Sequence, residues 1–243
     1  MKKYILGFAF LLILTFSGFA QSEKNLVFDA NAQIRSVSSF NSIEVAGAIN
    51  LFLSQGTSEA VAVSAGDSAL ISRIKTSVRD NVLYIEFDGK GLSWKNWSNN
   101  KIKAYLTFSS LKRIEASGAC NIKMIDQLKS NDLKIELSGA SDLTGDIAVE
   151  NLSVTLSGAS DCILKGMAEK ASINANGASS AKAYDLKINY AKIDASGASS
   201  IRITVNKELN ARASGASSIS YKGEGLIKDL SSSGAASVKH RTD

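Results

Sequence analysis

A Gly-Ala pair returns about every 19 residues through the second half of this chain, and no other feature limits the fold as strongly. The glycines are Gly118, Gly139, Gly158, Gly177, Gly197, Gly215 and Gly234, separated by 21, 19, 19, 20, 18 and 19 residues. Self-similarity at that period is the mark of a solenoid, in which each repeat is one turn of a coil. Stepping by two around Gly139 places Leu133, Ile135, Leu137, Gly139, Ser141 and Leu143 on one side, and Lys134, Glu136, Ser138, Ala140, Asp142 and Thr144 on the other. That is a strand pattern with one apolar face. It recurs at Leu152, Val154, Leu156, at Ala191, Ile193, Ala195, and at Leu209, Ala211, Ala213.

Coils stacked about 4.8 Å apart pair each strand with its neighbours above and below, so seven such coils span roughly 30 Å. Like residues then form ladders. One runs Ser117, Ser138, Ser157, Asn176, Ser196, Ser214, Ser233; a second holds one Ala per coil from Ala119 to Ala235; a third runs Asn121, Asp142, Asp161, Ser180, Ser200, Ser218, Ser237. Each Gly is expected at a bend or close backbone approach. A left-handed helix of hexapeptides needs a strict 18-residue period, which is absent. The expected fold is therefore all-β: a single-stranded, right-handed parallel β-helix with coils of about 19 residues.

The N-terminus points to export, to the periplasm, the outer surface or the extracellular space. Met1-Lys2-Lys3 precedes an apolar run from Tyr4 to about Phe16, then Ser17-Gly18-Phe19-Ala20. A charged start, a short apolar centre and small residues at the end describe a secretory signal peptide over 1–20. The run is short for a membrane span, and no Cys near Gln21 supports a lipid anchor. Without Lys2 and Lys3 the net charge falls from +5 to +3 (26 basic against 23 acidic), too mild to argue for nucleic acid. An N-terminal extension is expected over 21–36 and one β-helix domain over 37–240, with no linker inside it. Wide first coils and a cap are expected over 37–115, with a short helix between Asp67 and Lys75, and Gly-Ala coils over 116–240. The two cysteines, Cys120 and Cys162, fall two coils apart, beyond disulfide reach, so buried free thiols are expected.

Phe40-Asn41-Ser42-Ile43-Glu44-Val45 and Gly47-Ala48-Ile49-Asn50-Leu51-Phe52-Leu53-Ser54-Gln55-Gly56, followed by the Ser-Gly-Ala-Ser coils from Ser117 on, resemble the auto-transporter adhesin head GIN domain family. The resemblance spans nearly all of 37–238. It implies a β-helical, envelope-associated or secreted protein with an adhesive role, in a family common in Bacteroidetes. No translocating barrel follows His240-Arg241-Thr242-Asp243 in this sequence, so self-export through a barrel of its own is not expected.

Candidate sites are few. Trp94, Lys95, Asn96 and Trp97 lie in a polar segment between two strands, where indoles beside amides and cations suit sugar rings. The same indoles would equally serve to fold back over the solenoid or meet another subunit. Asp142 and Asp161 share a register in adjacent coils, with Asn121 one coil before. Such oxygens are calcium-type ligands, although two carboxylates do not fill a calcium shell and a solvated ladder is the plainer reading. Catalysis finds little support. Asp142 with Asp161 is the one carboxylate pair that can be placed for glycoside hydrolysis, and the sole histidine, His240, is expected in a frayed tail, away from any nucleophile. No cofactor motif is present. The expected function is non-catalytic, adhesin-like binding of a glycan or a surface protein at the cell envelope, outer surface or outside. A structural, self-associating envelope protein is the alternative, prompted by the apolar-poor final coil from Leu230 to Val238. A polysaccharide-active enzyme is the third.

Overall fold

The computed structural model describes Asp29, residues 31–92 and residues 101–242. The signal segment over 1–20 and the Trp94, Lys95, Asn96, Trp97 segment lie outside the described residues. Five long strands form the body: β9 (Asn121–Leu137), β10 (Asp142–Leu156), β11 (Asp161–Ala175), β12 (Ser180–Ala195) and β13 (Ser200–Ala213). Each pairs parallel with the next. In β10 the buried residues alternate through Leu143, Ile147 and Val149. Glu150 and Asn151 then point outward in succession, and alternation resumes at Leu152, Val154 and Leu156. Two consecutive exposed residues turn the corner of the coil while both arms keep their apolar side inward. The ladder Asn121, Asp142, Asp161, Ser180, Ser200, Ser218, Ser237 is in register throughout. The fold is a parallel β-helix.

The glycine ladder explains the period. Gly139, Gly158 and Gly177 have φ of +74°, +72° and +71°. The Ala after each glycine donates its N–H to the glycine carbonyl one coil below, as Ala159 does to Gly139 at 2.7 Å. A Cβ on Gly158 would lie 2.4 Å from that carbonyl oxygen. Only glycine fits both constraints. The ladder starts earlier than the 19-residue period indicates. β2 (Ser42–Gly47) pairs parallel with β8 (Arg113–Gly118), placing Gly47 beneath Gly118. β3 (Asn50–Gln55) likewise underlies β9, with Asn50 beside Asn121. Gly47-Ala48-Ile49-Asn50 is thus the first rung of the same glycine ladder as Gly118-Ala119-Cys120-Asn121, and the residues between are inserted within that ladder.

Next to the glycines runs a buried polar stack: Ser141, Ser160, Ser179, Ser199 and Ser217, each at most 2 % exposed. Three of these hydroxyls close the turn from inside, while Ser199 donates to Ala175 O in the coil below. Ser160 donates to Ser157 O at 2.9 Å, Ser179 to Asn176 O at 2.8 Å and Ser217 to Ser214 O at 2.8 Å. Cys120 takes the equivalent place one coil below Ser141, its thiol donating to Ser117 O at 3.3 Å. Both cysteines are free and buried. Burial pushes the Cys120 thiol up, and that of Cys162 up to about 12.

The N-terminal end is closed by the insertion. β7 (Lys103–Phe108) continues the parallel stack beneath β3, and β6 (Val82–Phe87) does so beneath β2. Direction then reverses: β4 (Ala60–Ser64) pairs antiparallel with β7, β5 (Ile74–Arg79) with β6, and β1 (Gln33–Arg35) with β4. A 3-10 helix, Ser68–Arg73, N-capped by Asp67, buries Leu70 and Ile71 over the end of the core. Part of the segment expected as an extension, residues 33–35, is therefore an edge strand of the sheet, because its N–H and C=O groups complete the β4 ladder.

Asp29 ties this edge down. Its Oδ2 accepts from Lys103 Nζ at 2.8 Å and from Tyr105 Oη at 3.1 Å. The Lys103 ammonium holds the carboxyl down at about 2. A carboxylate with a lowered folded pKa stabilises fully above its unfolded value near 4, and that contribution is lost as pH falls toward 2. Asp29→Asn is expected to speed proteolytic cleavage around β1 by about tenfold or more at neutral pH. The wild type should show the same acceleration only as its pH drops below about 4, with an acid-stable protease as the probe.

Among the described residues the C-terminal end of the stack is uncovered. β15 (Leu226–Ser232) pairs with β13, and β16 (Ser237–His240) with β14 (Ser218–Lys222). Every residue of β15 is exposed. Ile227 and Leu230 continue the core positions of Leu209 and Ala211, yet are 44 % and 42 % exposed, because among the described residues no coil follows. His240 is not in a frayed tail. It belongs to β16, its ring stacks on Tyr221 at 4.9 Å, and Nε2 lies 3.1 Å from Gly223 O. Backbone pairing to β14 holds it there. Among the described residues no helix is long and apolar enough to cross a membrane.

Candidate functional site

A stacked sheet turns each outward register position into a row of side chains about 4.8 Å apart, held on backbone that cannot shift independently. Two positions past the Asn/Asp/Ser ladder runs the row Lys123, Thr144, Ile163, Lys182, Arg202. Beside it a groove of about 430 Å³ crosses five coils, with Ile125 and Ile163 in its lining and Lys123, Asp146, Lys165, Lys182, Tyr184 and Asp185 around them. Ile125 is 51 % and Ile163 43 % exposed. Ion pairs set the rim: Lys182 Nζ lies 3.0 Å from Asp161 Oδ2, Lys165 Nζ 3.5 Å from Asp146 Oδ2, and Gln127 Nε2 donates to Asp146 Oδ1 at 2.9 Å. Exposed branched aliphatics ringed by fixed polar groups suit contact with an apolar surface of a sugar or protein, with the rim setting orientation.

Another face carries a different pattern. Glu136 lies 3.1 Å from Arg113 Nε and 3.0 Å from Lys134 Nζ. Burial pushes its carboxyl up, but Lys134 and Arg113 together bring it below its ordinary value. This arrangement joins neighbouring coils and leaves the carboxylate charged.

The expected oxygen cluster is placed as its register required. Asn121, Asp142 and Asp161 stack in three successive coils. Lys182 occupies one oxygen of Asp161, which gives that carboxylate a cation from the protein itself. Among the described residues no three His, Cys, Asp or Glu side chains are gathered as a metal would need. The residues that sequence reasoning passed over are Ile125, Ile163, Tyr184, Arg202 and Lys239. The signal was available: Ile163 falls in the outward register, where an aliphatic residue departs from the alternation.

Comparisons with known proteins agree with this geometry. A crystal structure described as a "putative adhesin" from Bacteroides fragilis shares 24 % identity, covers 86 % of this chain and 96 % of its own, and superposes with a TM-score of 0.78. A "putative adhesin" from Parabacteroides merdae shares 20 % identity over 87 % of this chain and 95 % of its own, with a TM-score of 0.65. A "putative lipid binding protein" from Parabacteroides distasonis shares 20 % identity over 87 % and 96 %, also with a TM-score of 0.65. At these identities the likeness is one of fold. No curated protein sequence matches the chain. The model of the family described as "Putative auto-transporter adhesin, head GIN domain" matches residues 39–225. That stretch runs from β2 through β14 and holds the glycine ladder from its first rung at Gly47 to Gly215, so the chain belongs to the auto-transporter adhesin head GIN domain family.

Proposed function

We propose that this is an exported, non-catalytic, adhesin-like protein whose outer solenoid face binds a glycan or a surface protein at the cell envelope or beyond it. The observation that carries this reading is the groove lined by Ile125 and Ile163. Two exposed aliphatic side chains are fixed on a rigid sheet among paired charges, an arrangement that folding alone does not call for. The expected leader over 1–20 supports export. The Trp94, Lys95, Asn96, Trp97 segment is the second proposed contact, on the chemistry of its side chains. Binding of the purified protein to an array of bacterial and host glycans and surface proteins tests this. The wild type should bind, and Ile163→Asp should weaken that binding about tenfold or more while leaving the melting temperature nearly unchanged. A folded Ile163→Asp protein that binds as the wild type does would remove the groove from the account.

A second reading, self-association, is favoured by β15. If two copies pair this edge antiparallel with Ile227 opposite Leu230, the uncovered apolar positions of the two copies cover each other. Light scattering at tens of micromolar should then report a dimer that Leu230→Lys abolishes. A wild-type monomer at that concentration would dismiss this reading.

A further inference from the structure

In the last three coils, apart from Lys222, whose Nζ lies 5.2 Å over the Tyr184 ring, the cations fall into two groups. Lys207, Arg212 and Lys228 each meet a carboxylate: Glu169 at 3.3 Å, Asp229 at 3.1 Å and Glu208 at 3.6 Å. Arg202, Lys239 and Arg241 project from a different face, and among the described residues none has a carboxylate within ion-pair distance. These three and Lys222 border a shallow groove of about 480 Å³ that continues from the Ile163 groove through Tyr184 and Arg202, and no Asp or Glu among the described residues lines it. Its inner wall is the hydroxyl row Ser200, Ser218, Ser237, in register coil by coil. Arg202, Ser220 and Lys239 form the adjacent row, so the Arg202 and Lys239 backbones stand two coils, roughly 9.6 Å, apart, with a hydroxyl between them.

We propose that this groove binds an acidic glycan, one bearing carboxylate or sulfate groups along an extended chain. The proposal rests on the adhesin-like reading and names the ligand chemistry. Unpaired Arg and Lys side chains supply charge-assisted hydrogen bonds to oxyanions, Arg in the bidentate form that a planar carboxylate or a sulfate edge accepts. The serine hydroxyls both donate and accept, as sugar hydroxyls require. Two cations separated by two coils suit anionic groups on alternate sugars of an extended chain. The surroundings argue against other polyanions. A single-stranded nucleic acid needs a series of aromatic stacking platforms, and among the described residues Tyr184 is the one aromatic side chain lining this groove. A lipid surface needs apolar groups to insert beside the cations; among the described residues no aliphatic side chain lines this groove, the exposed Ile163 lying in the adjoining one.

The test is calorimetric titration of the purified full protein with hyaluronan and chondroitin sulfate oligosaccharides, with neutral dextran and poly(dT) as controls, across a range of salt concentrations. An acidic glycan should bind and dextran should not. Arg202→Ala/Lys239→Ala should weaken binding by about tenfold or more and flatten its salt dependence. Lys207→Ala/Lys228→Ala, which removes the same charge from paired positions, should change affinity by less than about twofold. Both variants should melt close to the wild type. No acidic-glycan binding at low salt, equal loss in the two double variants, or tighter poly(dT) binding through the same residues would each overturn the proposal. If the array of glycans and surface proteins still identifies a ligand that depends on Ile163, the broader adhesin-like reading stands without it.

Discussion

Gly158→Ala is expected to destabilise the protein by about 3 kcal/mol or more. Two costs act together. The residue sits at φ +72°, which an L side chain adopts only with strain, and its Cβ would stand 2.4 Å from the Gly139 carbonyl oxygen. That oxygen cannot retreat, because it accepts the Ala159 N–H at 2.7 Å and is built into the coil below. Asn, which tolerates the same φ, should rescue little, since the contact with backbone persists. The ladder also supplies an internal control. At Gly234 the corresponding distance has widened to 2.9 Å and the last coil is exposed, so Gly234→Ala should cost only about 1–2 kcal/mol. Urea or thermal unfolding of the two variants beside the wild type measures both. Equal and small costs would mean that the glycines are not stacked as described.

Ile193→Ala should cost about 3–4 kcal/mol, against less than about 1 kcal/mol for Leu230→Ala. Ile193 is fully buried between Ile173 below and Ala211 above. Deleting its side chain leaves a cavity that stacked, in-register backbones cannot collapse to fill. Leu230 extends the same interior column one coil beyond Ala211 but is 42 % exposed. The asymmetry follows from one-dimensional construction, in which each coil contacts only its neighbours and a terminal coil has one. Should Leu230→Ala prove as costly as Ile193→Ala in the isolated monomer, the uncovered end inferred from β15 would be wrong. Should it become costly only at concentrations where the protein dimerises, the self-associating reading gains support.

The coils from Gly118 onward were legible in the sequence because one steric demand recurs at one register. Gly139, Gly158 and Gly177 must each fit the same turn, and the alternation on either side shows which residues face inward. The beginning of the stack was hidden. Gly47 obeys the same rule, yet the cap inserted between β3 and β8 pushes its partner Gly118 far down the chain and erases the period. The shared Gly-Ala-x-Asn of residues 47–50 and 118–121 was the surviving trace. The serine stack was visible as register but not as chemistry. Ser160 and Ser217 read as members of an apolar face, and only the turn geometry shows that their hydroxyls satisfy a carbonyl inside the coil. Edge strands were the hardest to foresee. Residues 33–35 carry no strong alternation, and His240 is held by pairing to a distant strand rather than by its own neighbours.

Much less of the candidate site was legible. Asp142 and Asp161 stood out because carboxylates are conspicuous, with the Asn121 amide one coil before, but the Lys182 contact to Asp161 depends on which side chains meet across coils. Ile163 and Arg202 become notable only once their row is known to face outward and their neighbours are known to be paired or unpaired. Periodicity gives the row in which a residue stands; its partners are settled in three dimensions.

The measurement that tests the central claim most directly is adhesion itself. Beads coated with the purified protein are held under shear flow on surfaces bearing hyaluronan, chondroitin sulfate, mucin glycans or intact bacterial cells, beside beads carrying Ile163→Asp, Arg202→Ala/Lys239→Ala and Trp94→Ala/Trp97→Ala. The account predicts that wild-type beads are retained on at least one surface and that at least one of these folded variants is released from it. Wild-type beads that wash off every surface, or retention that persists unchanged in all three variants, would contradict it.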